Sequence, residues 1–181
     1  MAEPTHALSV LLDDDVFALN RAVGVVRRRN LPIASIAVGP SHIPGASRLT
    51  VMMQTDDAGA DRMVKQLQKT YGVREAELLR AADAVAREVA LVRVHAPAEV
   101  HQELTEIAEL FKAELVDEGP DVFVLQVAGA AWFILSFIRA LERFGIMEVA
   151  RSGAVAVRSA APPAPPASQS SPSTSAAETV L

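Results

Sequence analysis

The chain has 181 residues, half of them apolar, and a net charge of −5. That apolar fraction is enough to build buried cores, while the excess of acid excludes the basic footprint of a nucleic-acid or anionic-membrane surface. With no cysteine, disulfides, thiolate metal sites and cysteine nucleophiles are all excluded, which fits a reducing compartment.

The opening MAEPTH has neither the basic nor the apolar region of a secretory signal. Ala7 to Leu12 is an apolar run of strand length, and Asp13 to Asp15 then supply the acidic start that a helix dipole favours. Leu19, Val23 and Val26 recur at helical spacing, with Arg21, Arg27 and Arg28 falling elsewhere, so an amphipathic helix is expected to end before Pro32. Ile33 to Val38 and the run SRLTVMMQ read as an antiparallel strand pair joined through the turn formers GPSHIPG. A second helix carries Ala60, Met63, Val64 and Leu67 on one face, and Gly72 closes it before the strand VREAELL.

The small-residue run AADAVA, residues 81 to 86, separates this cycle from a second one. EVALVRV is a strand, and Val100, Leu104, Ile107, Ala108 and Phe111 mark a helix face. AELV and DVFVLQV form a strand pair turned at Gly119 and Pro120, AAWFILSFIRAL is a helix, and MEVARSGAVAV is a last single strand. The longest uncharged apolar stretch, Val127 to Ile138, stops at Arg139, short of the roughly 20 residues of a membrane span. A cytoplasmic location without a membrane partner is therefore the default expectation. From residue 159 the Ala, Pro and Ser composition is that of a disordered tail. The fold class is α+β, with two tandem ferredoxin-like βαββαβ domains at residues 5–80 and 86–158 and a tail at 159–181. In each unit two helices cover one sheet face, so the other face is expected to need a partner, most simply a second copy with the sheets joined side by side.

The residues for catalysis are missing. His6, His42, His95 and His101 show neither helical pairing nor acidic company and read as scattered surface histidines. Asp13 to Asp15 lack the glycine and distant glutamate of a calcium loop and are read as helix caps. Glu114, Asp117, Glu118 and Asp121 read as a solvated acidic rim, Trp132, Phe133 and Phe137 as core, and Arg27 to Arg29 as a solvated helix end. No nucleophile elbow, phosphate-cradling loop or dinucleotide fingerprint is present, and an aromatic content of 4% argues against base stacking.

The runs HALSVLLDDD, RAVGVVRRRNLPIASIAVGPSHIPGASRLTV and KQLQK resemble the N-terminal ACT domain of the acetolactate synthase small-subunit family. AREVALVRV, ELFKAELVD and FGIMEVARSGAVAV resemble that family's C-terminal domain and its closing RSG segment, so the likeness spans residues 6 to 158 in order. It implies a dimeric, non-catalytic regulatory subunit that binds and activates a separate large catalytic subunit in branched-chain amino-acid biosynthesis. The chain itself would hold no cofactor, and thiamine diphosphate, Mg and FAD would belong to the catalytic partner. Many members confer sensitivity to valine, bound where the loop after the first strand meets the partner chain's helix end and second strand. By that resemblance the effector positions are Asp14, Phe17, Ala18, Pro32 and Ile33, and Arg28, Arg48 and Lys65 are candidate contacts to the catalytic subunit. Where the family has Asn, Gly and Asn, this chain has Asp14, Phe17 and Pro32. An aspartate repels a ligand carboxylate, a phenylalanine fills the space glycine leaves, and a proline removes a backbone donor, so valine feedback is expected to be weakened or lost. The competing expectations are a free-standing amino-acid-sensing ACT protein and a small enzyme in its own right, which the missing active-site residues oppose.

Overall fold

In the computed structural model, which describes residues 5–29, 31–80 and 83–160, two antiparallel sheets each carry a pair of helices. The first half runs β1 (Thr5–Asp13), α1 (Val16–Arg28), β2 (Ile33–Pro40), β3 (Ala46–Gln54), α2 (Asp57–Leu67) and β4 (Val73–Leu79). The second runs β5 (Ala84–His95), α3 (His101–Leu110), β6 (Glu114–Gly119), β7 (Val122–Gly129), α4 (Ala131–Leu141), β8 (Ile146–Arg151) and β9 (Val155–Arg158). The strand orders are β2-β3-β1-β4 and β6-β7-β5-β8, with β9 also paired to β5. The ferredoxin-like α+β architecture expected from the alternating periodicities is the one observed. Among the described residues no helix is long and apolar enough to cross a membrane.

Each core follows from the two-residue period of its strands. Leu8, Val10 and Leu12 of β1 and Leu49, Val51 and Met53 of β3 face the helices and are buried with Ala22, Val25, Val26, Met63 and Leu67. In the second unit Ala90, Val92 and Val94 pack with Leu104, Phe123, Leu125, Ile134 and Phe137. Each large side chain so buried contributes about 1.5–3 kcal/mol by removal from water.

The C-terminal strand departs from expectation. It is divided: β8 pairs with the far half of β5, Ala90 opposite Arg151, while β9 pairs with the near half, Ala84 opposite Arg158. Gly153, at φ +73°, makes the break in a left-handed conformation that side chains resist. Strand β5 accordingly begins at Ala84, inside the segment read as a boundary; residues 81–82 of that segment lie outside the described residues, as do the start of the chain and the tail from residue 161.

The ribbon formed by β5 and β9 lies across the face of the first sheet that the helices leave open. Ala84, Ala86 and Ala156 pack on Ala7, Met52 and Leu79. The ribbon is fixed at both sheet edges: Ala154 N–H donates to Ser35 Oγ of β2 at 3.2 Å, and Arg158 pairs with Glu77 of β4. Ser9, Leu11 and Thr50 on this face are buried as a result. The expectation that this face requires another copy is therefore corrected: within the first sheet the chain covers it with its own last strand.

Two side-chain placements also differ. His6 is buried, not a surface histidine, with Nε2 3.3 Å from Asp57 Oδ1 but neither ring nitrogen in a hydrogen bond among the described residues. Trp132, read as core, is 71% exposed, whereas Phe137 is fully buried. Both exceptions lie near element starts, His6 second in β1 and Trp132 second in α4, where an outer position and an inner one differ by a single residue.

An alanine at position 153 would place its Cβ 3.2 Å from Ser35 Cβ and 3.3 Å from Ile36 O, at a φ that disfavours any side chain. Gly153→Ala is expected to cost about 1–3 kcal/mol, the range for strained backbone, and to lower the melting temperature by several degrees. Gly39→Ala, with nothing within 4 Å of the added atom, is the control expected to leave it unchanged in a thermal melt.

Candidate functional site

The three consecutive aspartates after β1 have three separate structural tasks. Asp13 ends the strand, its N–H donating to Gly72 O at 2.8 Å and its carboxylate accepting from Arg74 Nε at 2.7 Å. Asp14 donates its N–H to Gly45 O at 3.1 Å and accepts the Ser47 hydroxyl at 2.6 Å. Only Asp15 caps α1, Oδ1 accepting from Phe17 N–H at 3.2 Å. The capping expected of the triplet thus belongs to Asp15, because a helix start offers its N2 and N3 donors to the single residue at the cap position.

A cavity of about 300 Å³ opens between this turn, the start of α1 and the ends of β2 and β3. Leu12, Leu19, Val38 and Pro40 form its apolar wall, and Asp14, Asp15 and Ser47 its polar side. Of the three carboxylates at this end of the sheet, Asp13 pairs with Arg74 and Asp15 lies 3.8 Å from Arg21, so Asp14 brings the charge that no arginine offsets among the described residues, and the first-turn N–H of Phe17 is already taken by Asp15. The arrangement suits a compact ligand with an apolar part and a positive end, and it opposes a carboxylate.

The expected effector residues are not gathered at this cavity within one chain. Asp14 lines it. Phe17, 65% exposed, does not; it lines a separate shallow depression with Asn20, Arg21 and Arg28. Ala18 is fully buried in the first core, facing Gly72, where a Cβ would come within 2.7 Å of its own. Pro32, whose carbonyl accepts from Gln54 N–H at 2.9 Å, and Ile33 stand at the opposite end of β2 from Val38. At about 3.3 Å per residue that is some 16 Å away. Ser47, Val38 and Pro40 carry no ligand-binding signal in the sequence, where Ser47 opens the run SRLTVMMQ that reads as a strand.

The candidate contacts for a catalytic subunit do not share one surface. Arg28 sits exposed in the last turn of α1 and Lys65 in the last turn of α2. Arg48 is opposite Leu11 on β3, on the other side of the sheet, with Nη1 donating to Ser9 Oγ at 2.6 Å. The two-residue period puts it there: Leu49 and Val51 face the helices, so Arg48 and Thr50 cannot.

Residues 8–75 match the family described as "AHAS small subunit-like ACT domain", and residues 87–160 match "Small subunit of acetolactate synthase". The chain is 35% identical over 158 residues to a Methanothermobacter thermautotrophicus protein named "Probable acetolactate synthase small subunit", covering 87% of this chain and 94% of that one. It is 34% identical over 154 residues to the acetolactate synthase small subunit of Mycolicibacterium smegmatis, covering 85% and 91%. The crystal structure of the acetolactate synthase small subunit from Thermotoga maritima superposes with a TM-score of 0.80 at 29% identity, over 86% of this chain and 97% of that one.

The cap assignment has a direct consequence for the cavity wall. Asp15→Ala is expected to cost about 1 kcal/mol, the usual loss for an N-cap carboxylate, and Asp15→Asn only a fraction of that, measured by urea denaturation. A loss as large for Asp14→Ala, which accepts the Ser47 hydroxyl but caps no helix, would reverse the assignment.

Proposed function

The chain belongs to the acetolactate synthase small-subunit family, and we propose that it is a regulatory subunit that binds the large catalytic subunit and raises its activity. The observation that carries this reading is the match of both halves, in order, to relatives of nearly the same length. In this reading the chain performs no reaction itself. Carbon–carbon bond formation in the pathway to valine, leucine and isoleucine, with its thiamine diphosphate, Mg and FAD, belongs to the catalytic partner.

We further propose a homodimer formed through β2. This is the outer strand of the first sheet, and its sequence IASIAVGP carries no charge. Ile33, Ile36 and Val38 are exposed along it. An unpaired, uncharged edge is a template for pairing with its own copy. Antiparallel pairing about a two-fold axis near Ile36 would bring Ile33 of a second copy beside Val38 and Gly39, closing the cavity at Asp14 from outside. Such closure accounts for the separation of Asp14 and Ile33 within one chain.

Valine feedback is weak or absent in this reading, and Asp14 is the principal cause. Its carboxylate faces the cavity where the α-carboxylate of an amino acid would need donors. Phe17 does not fill the cavity of the single chain, so its effect would arise only at the dimer interface.

The test combines assembly with calorimetry. The chain should co-elute with its catalytic subunit, and valine should give no binding heat with the wild-type chain. Asp14→Asn with Phe17→Gly should gain measurable binding. Valine binding by the wild type would contradict the blocked site, and failure to form any complex would move the chain to a free-standing role.

A further inference from the structure

The helices α1, α2 and α3 turn charged side chains to solvent, as amphipathic surface helices do. Helix α4 does not. In AWFILSFIRAL only Ser136 and Arg139 are polar, so the helix is apolar nearly all round. Its inner face, Ile134, Phe137 and Leu141, is buried in the second core. Its outer face presents Trp132 at 71% and Leu135 at 43% exposure, and Arg139 continues the same stripe at helical spacing. A helix with this composition is normally covered on both sides.

The stripe is edged by cations. Trp132 stands edge-on to Phe133, their centroids 5.8 Å apart, beside a shallow depression whose rim holds Arg87 and Lys112. Arg87, Lys112 and Arg139, like Arg62 and Lys65 elsewhere, take part in none of the ion pairs formed among the described residues. Lys112 is also in a left-handed conformation, φ +51°, alone among the described non-glycine residues. It follows the end of α3, where glycine is the residue of least strain. A lysine where the backbone favours glycine is an outlier, and an outlier of this kind is a candidate for a functional contact.

Charge decides the occupant. A second copy laid α4 against α4 would oppose these cations to themselves, which disfavours self-pairing. We propose that the outer face of α4 is the docking surface for the catalytic subunit, receiving an apolar socket rimmed by carboxylates, with Trp132 as the anchor. This rests on the regulatory-subunit reading above and adds to it a surface that the dimer edge at β2 leaves free. Tryptophan and arginine are the residues that most often dominate such interfaces.

The experiment titrates the catalytic subunit with full-length variants and reads complex affinity and acetolactate formation together. Trp132→Glu should weaken binding by about 10-fold or more, with activation reduced at subsaturating chain. Lys112→Gly removes the cation while relieving the strained backbone. Its melting temperature should be no lower than wild type, while affinity falls several-fold and depends less on salt. Wild-type affinity in both variants would overturn the proposal. So would a Trp132→Glu chain that loses self-association in light scattering yet still binds the catalytic subunit, because the stripe would then belong to a second copy. If the wild-type chain itself fails to bind, the regulatory-subunit reading fails first and takes this one with it.

Discussion

A two-stranded ribbon can lie flat on a sheet only if neither surface carries side chains that hold them apart. At the meeting of the two halves this condition is satisfied by Ala84, Ala86 and Ala156 against Ala7 and Leu79. Gly153 allows the chain to leave β8 and re-enter as β9 at the right height, its Cα facing Ser35, where a Cβ would be crowded at 3.2 Å. Once the ribbon is seated, Ser9 and Thr50 are buried although they point away from the helices. The Arg48 guanidinium donates to one of them. The paired ends, Ser35 with Ala154 and Glu77 with Arg158, then tie the ribbon to both edges of the first sheet. Polar groups at so covered a face need partners, and these are the ones available.

That covering restricts where the first unit can meet anything else. Helices occupy one face of its sheet and the ribbon the other, which leaves strand pairing to the sheet edges, among them β2, and leaves the turn after β1 open. These two surfaces are adjacent, because Val38, Gly39 and Pro40 of β2 also line the cavity at Asp14. A ligand at that turn would therefore feel whatever pairs with β2. The α4 stripe lies on the second unit, joined to the first through β5 and β9, whose Ser35 contact is itself on β2. The surfaces proposed for self-pairing and for the catalytic subunit are thus separate, yet linked through one strand. Such a link is a structural route for coupling; a coupling energy has to be measured before it is called allosteric.

Most of the architecture could be read from period alone. Helical spacing at Ala60, Met63 and Leu67 and alternation through β1, β3, β5 and β7 are strong signals, because each element buries one face. The closing RSG segment was visible as a family element, but not as a break between two strands. The run GAVAV has the same composition whether it continues a strand or crosses to another sheet, and only tertiary contact decides. The alanines of AADAVA read as a boundary between the two cycles for the same reason: small residues mark both boundaries and close approaches. The site was partly legible. Asp14 is at the cavity, but Phe17 and Ala18 point elsewhere because one helical turn separates solvent, core and cavity within four residues. Pro32 and Ile33 are an entire strand away, a separation that residue patterns along the chain do not disclose. Trp132 reads as core because its neighbours Phe133 and Phe137 are apolar too, but the helix is apolar on both sides and Trp132 lies on the outer one.

The central claim is that this chain modulates a catalytic subunit and does so without responding to valine. Acetolactate formation by the cognate catalytic subunit, measured alone, with the chain added, and with the chain plus valine, tests it most directly. The account predicts a rise on adding the chain and the same rate when valine is present. No change on adding a folded chain to an active catalytic subunit would contradict the regulatory role. A rise that valine then suppresses would keep that role and contradict the blocked site at Asp14.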